Sequence, residues 1–214
     1  MKSEGLIRVM IVDDHAIVRE GLRTILQHEP DIEVTAVASD AAAAMKAITG
    51  SDIDVALLDI ALPGRNGLDL LRDLTACRPA LRVVMFSIYS EERFAVRAIK
   101  AGAHGYLTKE VAPEMIVEAI RKVYLGGRYI TPVTAEKLAA ELADHNEKMP
   151  HERLSDREFD ILCLIGSGLP LVEIAAKLSL SDRTVSTYRA RIMKKMNLGS
   201  RAEIIQYVLD LGLI

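Results

Sequence analysis

The chain is expected to form an α/β fold, a doubly wound five-stranded parallel sheet, followed by a small all-α helix-turn-helix domain. Three observations carry that expectation. Short, nearly continuous apolar runs alternate with amphipathic helical patterns through the first 125 residues, as strands covered on both faces require. From Leu154 onward the punctuation is helical throughout. With 214 residues, half of them hydrophobic but only 4% aromatic and no Trp, the chain is long enough for two modest domains packed by aliphatic side chains.

Ile7 to Val12, Ile32 to Ala38, Val55 to Ile60, Val83 to Ile88 and Gly105 to Thr108 read as the strands. Helical patterns fall between and after them at about 15–28, 40–49, 66–77, 91–101 and 113–125. The chain breaks at Gly126-Gly127, restarts with Thr131 as cap and Pro132 as first helical residue, and runs helical to about Ala143. Asp144 to His151 is polar and contains Pro150, so 127–151 is expected to be a partly helical linker between domains at 1–126 and 152–214. Ser155 and Glu158 make a capping box, with Leu154 and Phe159 as its hydrophobic staple. Gly166 and Gly168 end that helix, and Pro170 to Leu178 is the next. Ser179-Leu180-Ser181 is a tight turn, Ser181 caps a third helix to about Met196, and a fourth follows at about 201–211.

The net charge of −3 conceals a local asymmetry. Residues 151–214 hold nine basic and eight acidic side chains, yet Arg183, Arg189, Arg191, Lys194, Lys195 and Arg201 occur with no acid between them, a footprint suited to a polyanion. Cys77 and Cys163 each sit in an amphipathic helical pattern, which predicts two buried thiols in a reducing compartment. The start of the chain carries Glu4 and leads straight into a strand, without a cleavable apolar segment, and no apolar run reaches membrane-spanning length. A cytoplasmic protein without membrane contact is expected.

The chemistry concentrates at strand ends. Asp13, Asp14, Asp59, Ser87 and Lys109 all fall at or just past carboxyl ends of predicted strands, the edge where parallel α/β sheets bind ligands. Three clustered carboxylates repel one another unless a hard cation neutralises them, and oxygen ligands favour Mg²⁺. Phosphoryl chemistry follows. His15, although next to Asp14, opens a helix and is given no chemical role.

In residues 7 to about 126 this arrangement resembles the receiver domain of bacterial response regulators, a flavodoxin-like fold, through Asp13-Asp14, Asp59, the Pro63 to Gly67 stretch, Ser87, Tyr106 and Lys109. The resemblance implies that Asp59 accepts a phosphoryl group from a sensor histidine kinase. It further implies that Asp14, Asp59 and the Ala61 carbonyl hold Mg²⁺, with Asp13 acting mainly through a water. Lys109 would pair with phosphate and carboxylate, Ser87 would bond a phosphoryl oxygen, and Tyr106 would be a switch aromatic that turns inward as Ser87 moves. Such a domain promotes only its own phosphorylation and dephosphorylation and is not an enzyme in the usual sense. A phosphatase of the haloacid dehalogenase type would need an Asp two residues after its nucleophile, where this chain has Ala61.

At 100° per residue, Val185, Tyr188, Ile192 and Met196 share one face of the third tail helix, and Arg183, Thr187, Ala190, Arg191 and Lys194 share the other. Residues 154–211 resemble the LuxR-type DNA-binding domain through Leu154 to Glu158, Gly168, Glu173-Ile174-Ala175, Leu178, Leu180-Ser181, Thr184-Val185 and Arg201. The whole chain therefore resembles a NarL/FixJ-type response regulator, most similar to the BvgA, EvgA and GacA subgroup through Thr184 to Tyr188 and Arg128-Tyr129-Ile130. Its DNA-binding residues would be Arg183, Thr184, Ser186, Thr187, Arg189, Arg191, Lys194 and Lys195. Thr187 and Arg191 are the candidates for base edges; Arg183, Arg189, Lys194 and Lys195 are those for phosphates. Ser186, Tyr188 and Leu169-Pro170-Leu171-Val172 depart from the usual pattern, so the base-reading rules are not carried over. The resemblance also implies a homodimer on double-stranded promoter DNA with an inverted repeat, contact with RNA polymerase, and release or reorientation of the tail through the linker. The alternative is a receiver-controlled adaptor whose helical tail binds a protein.

Overall fold

In a computed structural model, which describes residues 5–143 and 149–214, the first part alternates strand and helix without exception. The elements are β1 (Ile7–Val12), α1 (Ala16–Leu26), β2 (Ile32–Ala38), α2 (Ala41–Gly50), β3 (Val55–Leu58), α3 (Gly67–Cys77), β4 (Arg82–Ser87), α4 (Glu91–Lys100), β5 (Gly105–Thr108) and α5 (Pro113–Tyr124). The sheet order is β2-β1-β3-β4-β5, and every pairing is parallel. This is the expected doubly wound sheet, with β1, β3 and β4 inside. Those three strands are almost wholly buried, as helices on both faces demand. One core layer joins Val9, Ile11, Leu57, Val84 and Leu107 to Leu22 and Leu26 of α1 and Ile116, Ile120 and Val123 of α5.

β3 stops two residues before the apolar run ends. Asp59 N–H still donates to the Val12 carbonyl at 2.9 Å, but the Ile60 carbonyl already accepts from Leu62 N–H at 3.0 Å and Gly67 N–H at 2.8 Å. The backbone bonds of Ile60 therefore go to a turn rather than to a neighbouring strand. β4 likewise ends at Ser87, and Ile88 lies out in solvent.

At the far edge of the sheet, Tyr129 pairs in parallel with Gly105 and donates its N–H to the His104 carbonyl at 2.8 Å. A Cβ on Gly105 would stand 3.0 Å from Tyr129 Cβ, so the glycine permits this close approach. α6 (Pro132–Ala143) follows. The chain divides into two compact units after Ala139. That point lies inside the segment expected to be a linker, of which residues 144–148 lie outside the described residues, as do residues 1–4.

From Pro150 the second unit comprises a 3-10 turn at Pro150–Arg153, α7 (Asp156–Gly166), α8 (Leu171–Leu178), α9 (Asp182–Met196) and α10 (Arg201–Asp210). The capping box of α7 is complete in both directions, and Ser181 and Ser200 cap α9 and α10 by accepting from the backbone N–H groups of Thr184 and Glu203. Gly166 does more than end a helix. A Cβ there would lie 2.4 Å from Val208 Cγ1, so its bareness lets α10 approach α7. Gly168, with φ +82°, supplies the turn after the helix.

Cys163 is buried but Cys77 is exposed at the end of α3, and neither forms a disulfide. The expectation of two buried thiols holds only for Cys163, because the buried stripe of α3 runs through Leu68, Leu70, Leu71 and Leu74 and leaves Cys77 off it.

His104, at the opposite end of β5 from the strand tips, sets an acid limit on the fold. Burial, then the charges of Arg82 and Arg128, push its imidazole down to about 4. A depressed histidine pKa means that the unfolded chain takes up the proton first, so stability falls as pH drops from about 6.5 to about 4. Because the ring is only half buried, the loss is expected to be about 1 kcal/mol, and it should disappear from the pH dependence of urea unfolding in His104→Gln.

Candidate functional site

The carboxyl ends of β1, β3, β4 and β5 bring together all five residues expected there. Lys109 Nζ reaches across the cleft and lies 2.6 Å from Asp59 Oδ2 and 2.6 Å from Asp13 Oδ2. The first contact is a hydrogen bond; the second is an ion pair outside hydrogen-bonding geometry, which leaves Asp13 Oδ2 without a hydrogen bond. Asp13 and Asp59 are each 1% exposed, and Ser87 is fully enclosed. Asp14 is exposed at the rim.

Local backbone fixes each carboxylate. Asp13 Oδ1 accepts from His15 N–H at 2.9 Å, and Arg19 Nη1 holds the Asp13 carbonyl at 2.7 Å. Asp59 Oδ1 accepts from Ala61 N–H at 3.2 Å. Asn66 caps α3 through Leu68 N–H at 2.8 Å, and the helix starts so close beneath Asp59 that a Cβ on Gly67 would fall 2.0 Å from the Asp59 carbonyl oxygen.

The electrostatics follow from enclosure. Burial raises the Asp13 pKa and the neighbouring Asp59 charge adds to the rise, against the opposing pull of Lys109. Burial also works against the charge on Lys109, but Asp59 and Asp13 outweigh it and hold the ammonium above the ordinary lysine range.

One further side chain stands beside these five. His15 Nδ1 lies 2.7 Å from Asp14 Oδ1 and 3.4 Å from Asp13 Oδ1, so the side chain given no role borders the cluster. Its adjacency to two acids was the available signal. The donor atoms of Asp13, Asp14, His15 and Asp59 all lie within 4.8 Å of one another.

That donor set fits a hard divalent cation: three carboxylates at one sheet edge, two of them buried, and one carboxylate oxygen with no hydrogen bond. Any such cation, at a hundred times its Kd, would stabilise the fold by about 2.7 kcal/mol. The sign with pH is fixed by Asp13. A raised acid pKa favours the folded state below that pKa, and the benefit is lost as pH rises through it. A cation bound to the carboxylate would act oppositely, so the increment in thermal midpoint that it gives should shrink as pH falls, already above the ordinary aspartate range.

Tyr106 is 3% exposed, and its hydroxyl donates to the Tyr89 carbonyl at 2.9 Å. Tyr89 N–H in turn points at Ser87 Oγ at 3.4 Å, and the Tyr89 ring stacks on Phe94 at 4.6 Å. The aromatic expected to switch is therefore inward.

In the second unit, α8, a turn through Ser179 in the left-handed region, and α9 make the helix-turn-helix. Val185, Ile192 and Met196 are buried, while Arg183, Thr187, Ala190, Arg191 and Lys194 are exposed. Tyr188, Thr184, Ser186 and Arg189 are half-buried, and the Arg191 guanidinium lies over the Tyr188 ring at 5.9 Å. Thr187 Oγ1 donates back to the Arg183 carbonyl at 2.9 Å.

Two members of the acid-free basic run, Lys195 and Arg201, are tied to groups elsewhere in the unit. Lys195 Nζ is 2.6 Å from Glu158 Oε2, the carboxylate that closes the α7 capping box. Burial opposes the charge on Glu158, but Lys195 and Ser155 N–H outweigh it and hold the carboxyl below its usual range. Arg201 Nη2 donates to the Gly168 and Leu169 carbonyls at 2.8 and 3.1 Å, securing the turn after α7. Neither tie was legible, because each links residues more than thirty positions apart. Among the described residues, no helix is long and apolar enough to cross a membrane.

Residues 9–121 match the response regulator receiver domain, and residues 152–208 match the bacterial regulatory proteins of the luxR family. The chain is 35% identical to response regulator UvrY of Escherichia coli strain K12 over 97% of its length and 96% of that protein's. It is 35% identical to response regulator GacA of Pseudomonas aeruginosa over 98% of both. A solved LuxR-family two-component response regulator from Aurantimonas sp. SI85-9A1 aligns with a TM-score of 0.59 and 35% identity, over 65% of this chain and the whole of that one.

Proposed function

Because the chain belongs to the NarL/FixJ-type response regulators, which regulate transcription through a receiver joined to a LuxR-type domain, we propose that Asp59 accepts a phosphoryl group from a sensor histidine kinase and that α9 carries the signal to promoter DNA. The observation that carries the first half is the Lys109 ammonium, 2.6 Å from both buried carboxylates. It offsets charge where the transferred group must sit.

In the transfer, an Asp59 carboxylate oxygen forms a bond to phosphorus as the bond from phosphorus to the donor nitrogen breaks, and the freed imidazole takes up a proton. Lys109 and the Ser87 hydroxyl face the oxygens on which charge is spread, so catalysis is positioning and electrostatics. Asp13, Asp14, Asp59 and the Ala61 carbonyl would hold Mg²⁺, which supplies charge neutralisation at the phosphoryl oxygens. The pocket promotes its own phosphorylation and dephosphorylation and turns over no separate substrate.

The exposed row of Arg183, Thr187, Arg191 and Lys194 supports DNA as the target of α9. A groove-facing row with no acid and a helix N-terminus nearby suits phosphates at the rim and base edges at the centre. Thr187 and Arg191 are proposed to read bases; Arg183, Arg189 and Lys194 are proposed to hold phosphates. Lys195, drawn to Glu158, is better read as a structural tie. The chain would act in the cytoplasm as a homodimer on an inverted repeat, in contact with RNA polymerase.

Gel shifts on genomic fragments, with and without beryllofluoride and Mg²⁺, test the reading; capture of no fragment in either state would favour the protein-binding adaptor. On a captured fragment, Lys194→Ala should reduce the slope of log affinity against log salt by about 1. Lys195→Ala should leave that slope unchanged and lower the unfolding midpoint instead.

A further inference from the structure

Ser87, Tyr89 and Glu91 alternate along the turn from β4 into α4, and each is tied to something different. Ser87 ends β4 at the sheet edge that carries the carboxylates, and its Oγ accepts from Tyr89 N–H at 3.4 Å. The Tyr89 carbonyl holds the Tyr106 hydroxyl at 2.9 Å. Glu91 reaches outward to the start of α6: its Oε1 accepts from the hydroxyls of both Thr131 and Thr134, the latter at 2.6 Å.

Thr134 is only 2% exposed, and Thr131 is the α6 cap, accepting from Thr134 N–H at 3.3 Å. Two hydroxyls on one carboxylate oxygen are charge-assisted bonds, and a buried hydroxyl that loses its acceptor has no water to replace it. The segment leading into α6 is also held to the sheet, by Tyr129 N–H on the His104 carbonyl at 2.8 Å and Arg128 Nη1 on the Ala103 carbonyl at 3.1 Å. The Glu91 carboxylate therefore joins the end of the turn that carries Ser87 to the first turn of α6.

We propose that Glu91, Thr131 and Thr134 form a latch that transmits the state of Ser87 and the pocket to the first turn of α6. It rests on the reading of Asp59 as phosphoryl acceptor and adds the route by which that event reaches the linker. When the 87–91 turn moves toward an occupied pocket, Glu91 is withdrawn from or pressed into the two hydroxyls, and the α6 cap is loosened or tightened with it.

Hydrogen exchange on the full chain, with Mg²⁺ and with or without beryllofluoride, tests the latch. In the unaltered protein, exchange at 129–136 should change by about tenfold when beryllofluoride is added, alongside changes at 55–62 and 87–91. In Thr134→Val the pocket changes should persist while the change at 129–136 falls below about twofold, and Thr134→Ser should restore it. If Thr134→Val does not fold, Glu91→Gln, which keeps the shape and removes the charge, gives the same reading. A response at 129–136 of undiminished size in these variants overturns the latch, as does no response there in the unaltered protein. Absence of any response at 55–62 and 87–91 strikes first at the phosphoryl-acceptor reading, and the latch falls with it.

Discussion

Asp59→Asn is expected to abolish the phosphoryl mass adduct that acetyl phosphate and Mg²⁺ should give the unaltered chain, while leaving the circular dichroism spectrum the same. The amide matches the carboxylate in shape but is not a nucleophile. Lys109 still has Asp13 beside it at 2.6 Å, and the repulsion between the Asp13 and Asp59 charges is gone. Loss of one ion pair and loss of one repulsion oppose each other, so stability should move by no more than about 1 kcal/mol, or about 2–4 °C. An adduct that persists at the same stoichiometry on Asp59→Asn would place the acceptor elsewhere.

Gly67→Ala is the opposite kind of change, small in chemistry and large in effect. The added methyl would meet the Asp59 carbonyl oxygen at 2.0 Å and the Ile60 Cα at 2.8 Å. Both obstacles are backbone, so no rotamer relieves them. We expect a loss of about 3 kcal/mol or more, read as the shift in urea midpoint, and slower acetyl-phosphate labelling, because relief comes only by displacing Asp59. Gly21→Ala in α1 is the control. Nothing lies within 4 Å of its added methyl, and alanine in a helix should stabilise by about 0.5–1 kcal/mol. Equal unfolding midpoints for the two variants would show that the approach of α3 to Asp59 is looser than the distances imply.

The sheet and the pocket were readable because they depend on two short-range regularities. Apolar runs of strand length, separated by helical patterns, give the layers, and polar residues at the ends of those runs land on one edge. That logic located Asp13, Asp14, Asp59, Ser87 and Lys109, and helical periodicity located the exposed row on α9. Interactions set by distant partners were illegible. Glu91 looks like any acid at a helix start, and only the return of Thr131 and Thr134 gives it a role. Lys195 belongs by charge with Lys194, yet a buried capping carboxylate on α7 claims it. Gly67 reads as the end of the Pro63 to Gly67 stretch and Gly166 as a helix stop, whereas what constrains each is a neighbour that leaves no room for a methyl group.

The pairing of Tyr129 with Gly105 bears on solubility as well as on signalling. β5 is the last strand on its side of the sheet, and an open strand edge is a template for strands of other molecules. Residues 128–130 lie along it and take up the His104 carbonyl. A signal that peeled this segment away would bare a sticky edge each time the protein switched. The proposed route through the side chains of Glu91, Thr131 and Thr134 would leave that guard in place, so switching would not open the β5 edge to strands of other molecules.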